Sequence, residues 1–532
     1  MSGPPLTGVG WALAAVPVVV LFATVVGGRL STSRAAALVL AVTGVVAATA
    51  YRADPAVLAV ALGKGLWLGA WILGVVWPAL LLYRVASAGG LDRIGGAFGA
   101  ALPRREETLL LLAWVLPAFV QGVAGFGTPI AVAAPLLLAA GWSPQRAVLY
   151  PLVGYHWAVT FGSMGSSFYM ASLTAGLDVA GQSRFALAAA GVLALNAVVA
   201  GALVLLLDGG LPALRRGGRM LAVVGLPMAA TLVGTAVVVP AVATLAAGAV
   251  GLTAVLGLSL AQRRHPVVMA AVAAPLLPSG EAAPAPPRPR DALQVLAPYG
   301  YLLVTALPVF LLPASRDWVH DHLVVAPSFA ATSTGLGWDN PAVAGYTPAA
   351  LFGHPGTYIA LAAVLGAATY RLAGLWPRER TGVLREWARS LPAASLPVLL
   401  LACVATTMAD SGMVSVLARG VATVTAGAYP AIAPLVGGIG SFLTGSTTTS
   451  NALFAGFQRD VAGLLQLDPT VLLAAQTAGG NVGNALSPVV VLIGASALGR
   501  PGEVSAIARR CVLPAAVLLA VVATVTLLRS VA

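Results

Sequence analysis

The sequence predicts an all-α polytopic membrane protein, about 12 transmembrane helices plus two re-entrant hairpins in an inverted repeat. Three observations predict it. The first is composition: 59% of the 532 residues are hydrophobic and 9% are charged, with a mean hydropathy of +0.93, where a soluble domain carries about 25% charged residues. The second is an arginine distribution that makes sense only if two apolar stretches turn back inside the bilayer. The third is a pair of glycine- and hydroxyl-rich knots, Gln121 to Ala131 and Gly440 to Asn451, buried in apolar sequence.

Apolar runs of ~20 residues, each long enough to cross ~30 Å of hydrocarbon, recur from end to end. About fourteen are centred near residues 18, 43, 73, 122, 157, 196, 229, 252, 304, 365, 401, 444, 483 and 520. The first, Trp11 to Val26, has no basic segment before it and no clear cleavage site after it. It reads as a membrane helix and not a signal peptide. The ALPRREE segment before Thr108, the Pro-rich Glu281 to Asp291 and the stretch from Arg316 to His354 read as loops.

Basic residues favour cytoplasmic loops. If all fourteen stretches span, with the N-terminus outside, 12 of the 28 arginines fall inside and 16 outside. If the fourth stretch (Thr108 to Ala140) and the twelfth (Ala428 to Gln458) each enter and leave on one side, the division becomes 22 inside and 6 outside. Both termini are then outside. The first hairpin opens inward and the second outward, which makes an inverted pair. A faint internal repeat agrees: Ser143 to Ser163 and Asp468 to Pro488 align at an offset of 325, matching Gly154 to Gly479 and His156 to Asn481. One domain, 1–532, thus contains a first repeat core at 108–207 and a second at 393–498. Inverted repeats with interrupted helices are a mark of secondary transporters.

Non-helical backbone at membrane depth is tolerated only where protein buries it or a polar cavity receives it. In the first tip, Gly125 and Gly127 permit a tight turn, and Thr128 before Pro129 is a helix-start signal. In the second, Gly445 precedes Ser446, Thr447, Thr448, Thr449, Ser450 and Asn451, all capping or hydroxyl donors. Helix N-termini carry unpaired N–H groups and about half a positive charge. Two such ends near mid-membrane, with Ser163, Asn481 and Asn484 on the interrupted helices that follow, form a candidate site for a small carboxylate held without a fixed cation.

Other chemistries are excluded. Cys403 and Cys511 make neither a disulfide framework nor a metal site. The net charge of +12 is spread between apolar runs, so nucleic-acid binding is not expected. His320 and His322 have no ligand pattern around them. Nucleophile-elbow and zinc-hydrolase motifs are absent, so the chain is not read as an enzyme, and it needs no cofactor. Lys64, the only lysine, is expected to snorkel to the interface.

These motifs resemble those of the lactate permease family. GSFLTGSTTTSNALF is similar to its GSFLTGSDTSSNALF, QGVAGFGTPIAV to its EGAAGFGAPVAI, AAQTAGGNVGNALSP to its AANTSGGVTGKMISP, and DSGM at Asp410 to its YSGM. The resemblance implies a multi-pass carrier in the bacterial cytoplasmic membrane, moving L-lactate and related 2-hydroxymonocarboxylates such as glycolate by proton symport. Its partners are a small carboxylate, a coupling cation and the lipid bilayer, with a homo-oligomer also open. Another small carboxylate, sodium coupling through hydroxyls and carbonyls, or an anion channel are the alternatives. Family charges are absent at Gln121 (Glu), Thr447 (Asp) and Asn484 (Lys). If the latter two pair in the family, Thr447 and Asn484 should lie together, since losing both avoids a stranded charge. The candidates for proton coupling are His156 and Asp410, two gained titratable residues, and the altered position Gln121.

Overall fold

The computed structural model describes residues 4–531 apart from 27–29, 31, 90–103, 124–126, 263–293, 295–296, 303, 307–308, 310–311, 377–379, 499 and 501–502. Nearly all of it is helix. α1 (Gly8–Val26) and α2 (Thr32–Thr49) lead to α3 (Pro55–Ala88). Asp54 starts α3 by accepting the Val57 N–H at 2.8 Å, with Pro55 in the first turn.

The first glycine knot lies between short helices. α4 (Arg105–Leu110) runs through a π-helical turn, Leu111–Val115, into α5 (Leu116–Val123), and α6 (Thr128–Ala139) returns. Then come α7 (Pro144–Tyr155), two 3-10 turns at His156–Ala158 and Ser163–Gly165, and α8 (Ser166–Thr174). α9 (Val179–Val238) has 60 residues. As a straight rod it would extend ~90 Å, three bilayer cores. It is instead folded at Gly209 (φ −147°, ψ 22°) and Gly210 (φ 64°, ψ −155°), the latter open only to glycine. Gly201 faces Leu221, Gly217 faces Leu205 and Gly225 approaches Val198, so the two arms run antiparallel. The turn falls just ahead of Arg215, Arg216 and Arg219, where two glycines permit it.

α10 (Ala243–Gln262) follows. Residues 297–302 and 304–306 are helical, and then come α11 (Pro313–Asp321), α12 (Pro355–Leu372), α13 (Arg380–Asp410) and α14 (Met413–Thr425). The second knot joins α15 (Tyr429–Thr444) to α16 (Thr447–Leu464). α17 (Pro469–Leu486) and α18 (Pro488–Ala497) form one run bent by 43°, and α19 (Val504–Val531) ends the chain. Among the described residues six helices are long and apolar enough to cross a membrane, or seven if the bent pair is one span. The folded α9 counts once there, α14 and α15 count together as the run Met413–Phe442, the apolar stretches Gly8–Leu21, Ser33–Thr49 and Thr128–Ala139 fall short of the length, and the stretch near residue 304 lies partly outside the described residues.

Two expected loops are structured. The ALPRREE segment ends in α4, where Glu106 and Glu107 occupy the first turn, favoured at a helix N-terminus. Glu106 accepts from Arg216 Nε at 2.6 Å and Glu107 pairs with Arg104 at 3.3 Å. The 316–354 stretch holds part of α11 and two two-stranded antiparallel ribbons: β1 (Val324–Val325) with β4 (Ala349–Ala350), and β2 (Thr332–Ser333) with β3 (Asp339–Asn340). Two-residue strands leave no periodicity to read. The ribbons lie on α3: Trp67 donates to the Thr347 carbonyl at 2.9 Å, Gly335 N–H donates to the Arg52 carbonyl at 2.9 Å, and Phe329 packs on Gly63. The Glu281–Asp291 segment lies outside the described residues.

Glycine sets the closest helix contacts. A Cβ on Gly479 would lie 1.9 Å from the Pro434 carbonyl oxygen, and one on Gly483 would lie 1.9 Å from that of Gly438. So α17 touches α15 backbone to backbone. At the position 325 residues earlier, a Cβ on Gly154 would lie 2.1 Å from the Ala113 carbonyl oxygen. In both halves the helix after a hairpin meets that hairpin's first arm through the same glycine.

Candidate functional site

Each knot closes a helical hairpin whose open ends adjoin. In the first, the Arg105 guanidinium lies 4.3 Å from the centre of the Trp142 ring, bringing the start of one arm to the end of the other. Trp142 Nε1 donates to Asp208 at 2.9 Å, and Arg105 and Arg146 lie 3.5 and 3.9 Å from the same carboxylate. In the second, the Tyr429 hydroxyl donates to Gln458 Oε1 at 2.8 Å across the two arms.

The tips meet the same helix. Gly127 (φ 84°) caps α6 and approaches Ile493 of α18; Gly445 (φ 68°) ends α15 and approaches Ser487 and Val489. Val489 and Ile493 are four residues apart on α18, one helical turn. Thr128 is the first residue of α6, not its cap. Gly127 takes the cap because the left-handed backbone there excludes a side chain. Gly125 lies outside the described residues. Ser446 caps α16, its hydroxyl accepting the Thr449 N–H at 3.2 Å.

From the second tip a buried polar network runs inward. Thr448 Oγ1 lies 2.8 Å from Ser167 Oγ and 3.3 Å from Ser166 Oγ. Asn451 Nδ2 donates to the Ser167 carbonyl at 2.9 Å and to Thr477 Oγ1 at 3.0 Å. Thr160 Oγ1 lies 2.9 Å from Thr477 Oγ1 and donates to Asn481 Oδ1 at 3.0 Å. Asn481 Nδ2 reaches the Trp157 carbonyl at 3.4 Å. Ser450 donates to the Gly437 carbonyl at 3.0 Å and accepts from Gln476, which accepts in turn from Gln458. These groups join the second hairpin, the break between α7 and α8, and α17. Four buried oxygens at this site keep unused hydrogen-bonding capacity: Ser441 Oγ, Thr447 Oγ1, Asn451 Oδ1 and Ser487 Oγ. Buried polar atoms are normally satisfied, so these four stand out.

Thr447 and Asn484 both sit where the second tip meets α17. Thr447 Cγ2 faces Gly480, and Asn484, one turn along α17, donates to the Gly445 carbonyl at 2.9 Å. Gln121 packs on Gly162, beside Ser163, whose φ of 47° marks the broken backbone. His156 is fully buried and its Nδ1 lies 2.8 Å from the Val153 carbonyl oxygen. Its Nε2 has no hydrogen-bond partner, and the imidazole lines a narrow apolar cavity with Leu152, Val482, Leu486, Cys511 and Leu518. It makes no hydrogen bond to the hydroxyl network. Lys64 does not snorkel. It is buried, with Nζ 2.9 Å from Asp410 Oδ2, because a carboxylate on α13 meets it. Among the described residues no group of His, Cys, Asp and Glu could hold a metal ion.

Sequence reading missed Thr160, Ser166, Ser167, Gln458, Gln476 and Thr477. Thr477 was findable: with Asn481 and Asn484 it falls at i, i+4 and i+7, one face of α17. Nothing local singles out Thr160, which reaches Thr477 across 317 residues.

The chain is similar to several known proteins. The chain is 26% identical to an L-lactate permease of Halalkalibacterium halodurans, covering 93% of this chain and 92% of the relative. It is 25% identical to the glycolate permease GlcA of Escherichia coli, covering 99% and 97%. Among solved structures, the Alcanivorax borkumensis YdaH transporter is similar at a TM-score of 0.47 and 15% identity, over 88% of this chain and 86% of its own. The family description "L-lactate permease" matches residues 11–531, which include both hairpins and the whole polar network, and the chain belongs to the L-lactate permease family.

Proposed function

We propose that this protein is a secondary active carrier of L-lactate and related 2-hydroxymonocarboxylates such as glycolate, working by alternating access. The observation that carries the reading is the buried hydroxyl and amide network that runs from the second hairpin tip to the break between α7 and α8, with Ser441, Thr447, Asn451 and Ser487 holding spare hydrogen-bonding capacity, while the first tip meets the second on α18. A 2-hydroxy acid presents a carboxylate and a neighbouring hydroxyl, which such a mixed donor and acceptor set can grip. The coupling ion is assigned to a proton, taken up by a buried titratable group, His156 or Asp410. The relatives' names support the cargo. Purified protein in liposomes should show saturable uptake of labelled L-lactate, competition by glycolate, and counterflow with no ion gradient. Steady single-channel currents with no counterflow would favour an anion channel instead.

Both hairpins are re-entrant in this reading, and the repeat cores are 108–207 and 393–498. The convergence of Arg105 and Arg146 on Asp208, and of Arg216 on Glu106, supports it: the start and end of the first hairpin share one surface with the turn of α9. Single cysteines at Arg105, Arg146 and Arg216 should therefore react with an impermeant maleimide from the same side, which the arginine count assigns to the cytoplasm. Native Cys403 and Cys511 are buried and give low background. Labelling of position 146 from the opposite side to 105 would make the fourth stretch a full span.

A further inference from the structure

Lys64 is the only fixed cation buried in the protein among the described residues, and it is paired with Asp410 at 2.9 Å. Neither residue touches the hydroxyl network directly, but one packed cluster joins the two. Leu68, one turn along α3 from Lys64, packs in one apolar cluster with Ala402 of α13 and Ala452 of α16. Ala452 follows Asn451, a central member of the network. On α13, Thr407 lies three residues before Asp410, on the adjoining face, and its buried hydroxyl has no partner. The outer ribbons cover the other side. Asn340 Nδ2 donates to the Asp410 main-chain carbonyl at 2.8 Å, and Trp338 packs on Gly412. The Asp410 carboxylate is faced by the Lys64 ammonium from α3 and, from the ribbons, by the Tyr346 phenol, with Arg459 of α16 in electrostatic reach of Tyr346. Burial and the Asp410 carboxylate push the Tyr346 phenol up to about 12, so it stays protonated and does not compete for the transported proton.

We propose that Lys64 and Asp410 form an exchange relay on the outer path: the substrate carboxylate takes Asp410's place on Lys64, and Asp410 takes up the coupling proton. This rests on the carrier reading above and adds where charge is compensated. The balance closes. Before exchange the site holds one ammonium and one carboxylate. Afterwards it holds the ammonium, the substrate's carboxylate and a neutral Asp410 carboxyl, with one proton gained from the outer water. The site is electroneutral in both states, which matters because a stranded charge at membrane depth is expensive. An Asp410 carboxylate that has lost its ammonium partner is such a charge, and binding a proton removes it. Carboxylate and proton thus enter together.

The test uses full-length protein in liposomes with a trapped pH dye, measuring labelled L-lactate and proton influx together. Wild type should move protons in a fixed ratio to lactate. D410N should lower the protons moved per lactate roughly tenfold, and K64Q should raise the half-saturating lactate concentration about 30-fold, as for the loss of one partner of a buried charge pair. Should D410N carry no lactate, the double variant K64M/D410L decides. Apolar replacement of a buried ion pair is often neutral or stabilising, so the relay predicts a folded protein without proton-coupled uptake. A double variant that still couples, or one that cannot fold, makes the pair a structural pin and overturns the relay. So does a D410N protein with the wild-type ratio, or lactate flux driven by sodium with no proton movement. Wild-type protein that moves no short carboxylate overturns the carrier reading itself, and the relay with it.

Discussion

Asn451→Ala is expected to lower L-lactate uptake about 30- to 100-fold, corresponding to roughly 2–3 kcal/mol. The side chain is fully buried, and its amide serves two acceptors at once, the Ser167 carbonyl and Thr477 Oγ1. Each buried group left without a partner costs about 1–3 kcal/mol. The loss falls where three elements meet: α16 behind the second tip, the start of α8, and α17. Those elements must keep register for the Thr160–Thr477–Asn481 chain to persist. Asn451→Asp should do no better, since a carboxylate cannot donate to the Ser167 carbonyl and would itself be a buried anion. Uptake kinetics on matched amounts of folded protein check this. Wild-type kinetics in Asn451→Ala would remove the network from the substrate path.

Gly479→Ala is expected to destabilise the fold by about 1–3 kcal/mol or more, through overpacking. The added methyl would lie 1.9 Å from the Pro434 carbonyl oxygen and 2.6 Å from its carbon. Both contacts are main chain, so no rotamer change relieves them, and α15 must move away by more than an ångström. Because α15 carries the second tip, uptake should fall with stability. Gly154→Ala should behave alike, its methyl meeting the Ala113 carbonyl oxygen at 2.1 Å. Gly463→Ala is the control: nothing lies within 4 Å of a methyl there, in the last turn of α16. Thermal melts in detergent, followed by size-exclusion recovery, separate the three. Equal melting of Gly479→Ala and Gly463→Ala would contradict the backbone contact.

The two predictions show what kind of information each level holds. Gly479 and Asn451 were both conspicuous in the sequence, the first through its match to Gly154 and the second through the hydroxyl knot. Neither could be assigned a partner. Asn451 reaches across 284 residues to Ser167, and Lys64 across 346 to Asp410. A lysine near a helix end reads locally as a snorkelling residue, since its stem is apolar and its head seeks water. Only the approach of α13 to α3, made possible by Gly65 lying against the Cys403 backbone, brings a carboxylate to it instead. His156 shows the reverse: suggestive in the chain, it is turned toward apolar side chains by the fold.

Composition and apolar spacing by themselves determined that the chain is helical and membrane-embedded, because the bilayer leaves backbone polar groups no partner but their own helix. The glycine and hydroxyl knots marked where that rule is broken, and their sequence placed the chain beside the lactate permeases. Tertiary structure alone decided the turn of α9 at Gly209–Gly210, the partners of the network, and the burial of the Lys64–Asp410 pair. The physical reason is range. Solvent preference acts on each segment separately, whereas hydrogen bonds and ion pairs act over about 3 Å, between segments that only the folded chain brings together.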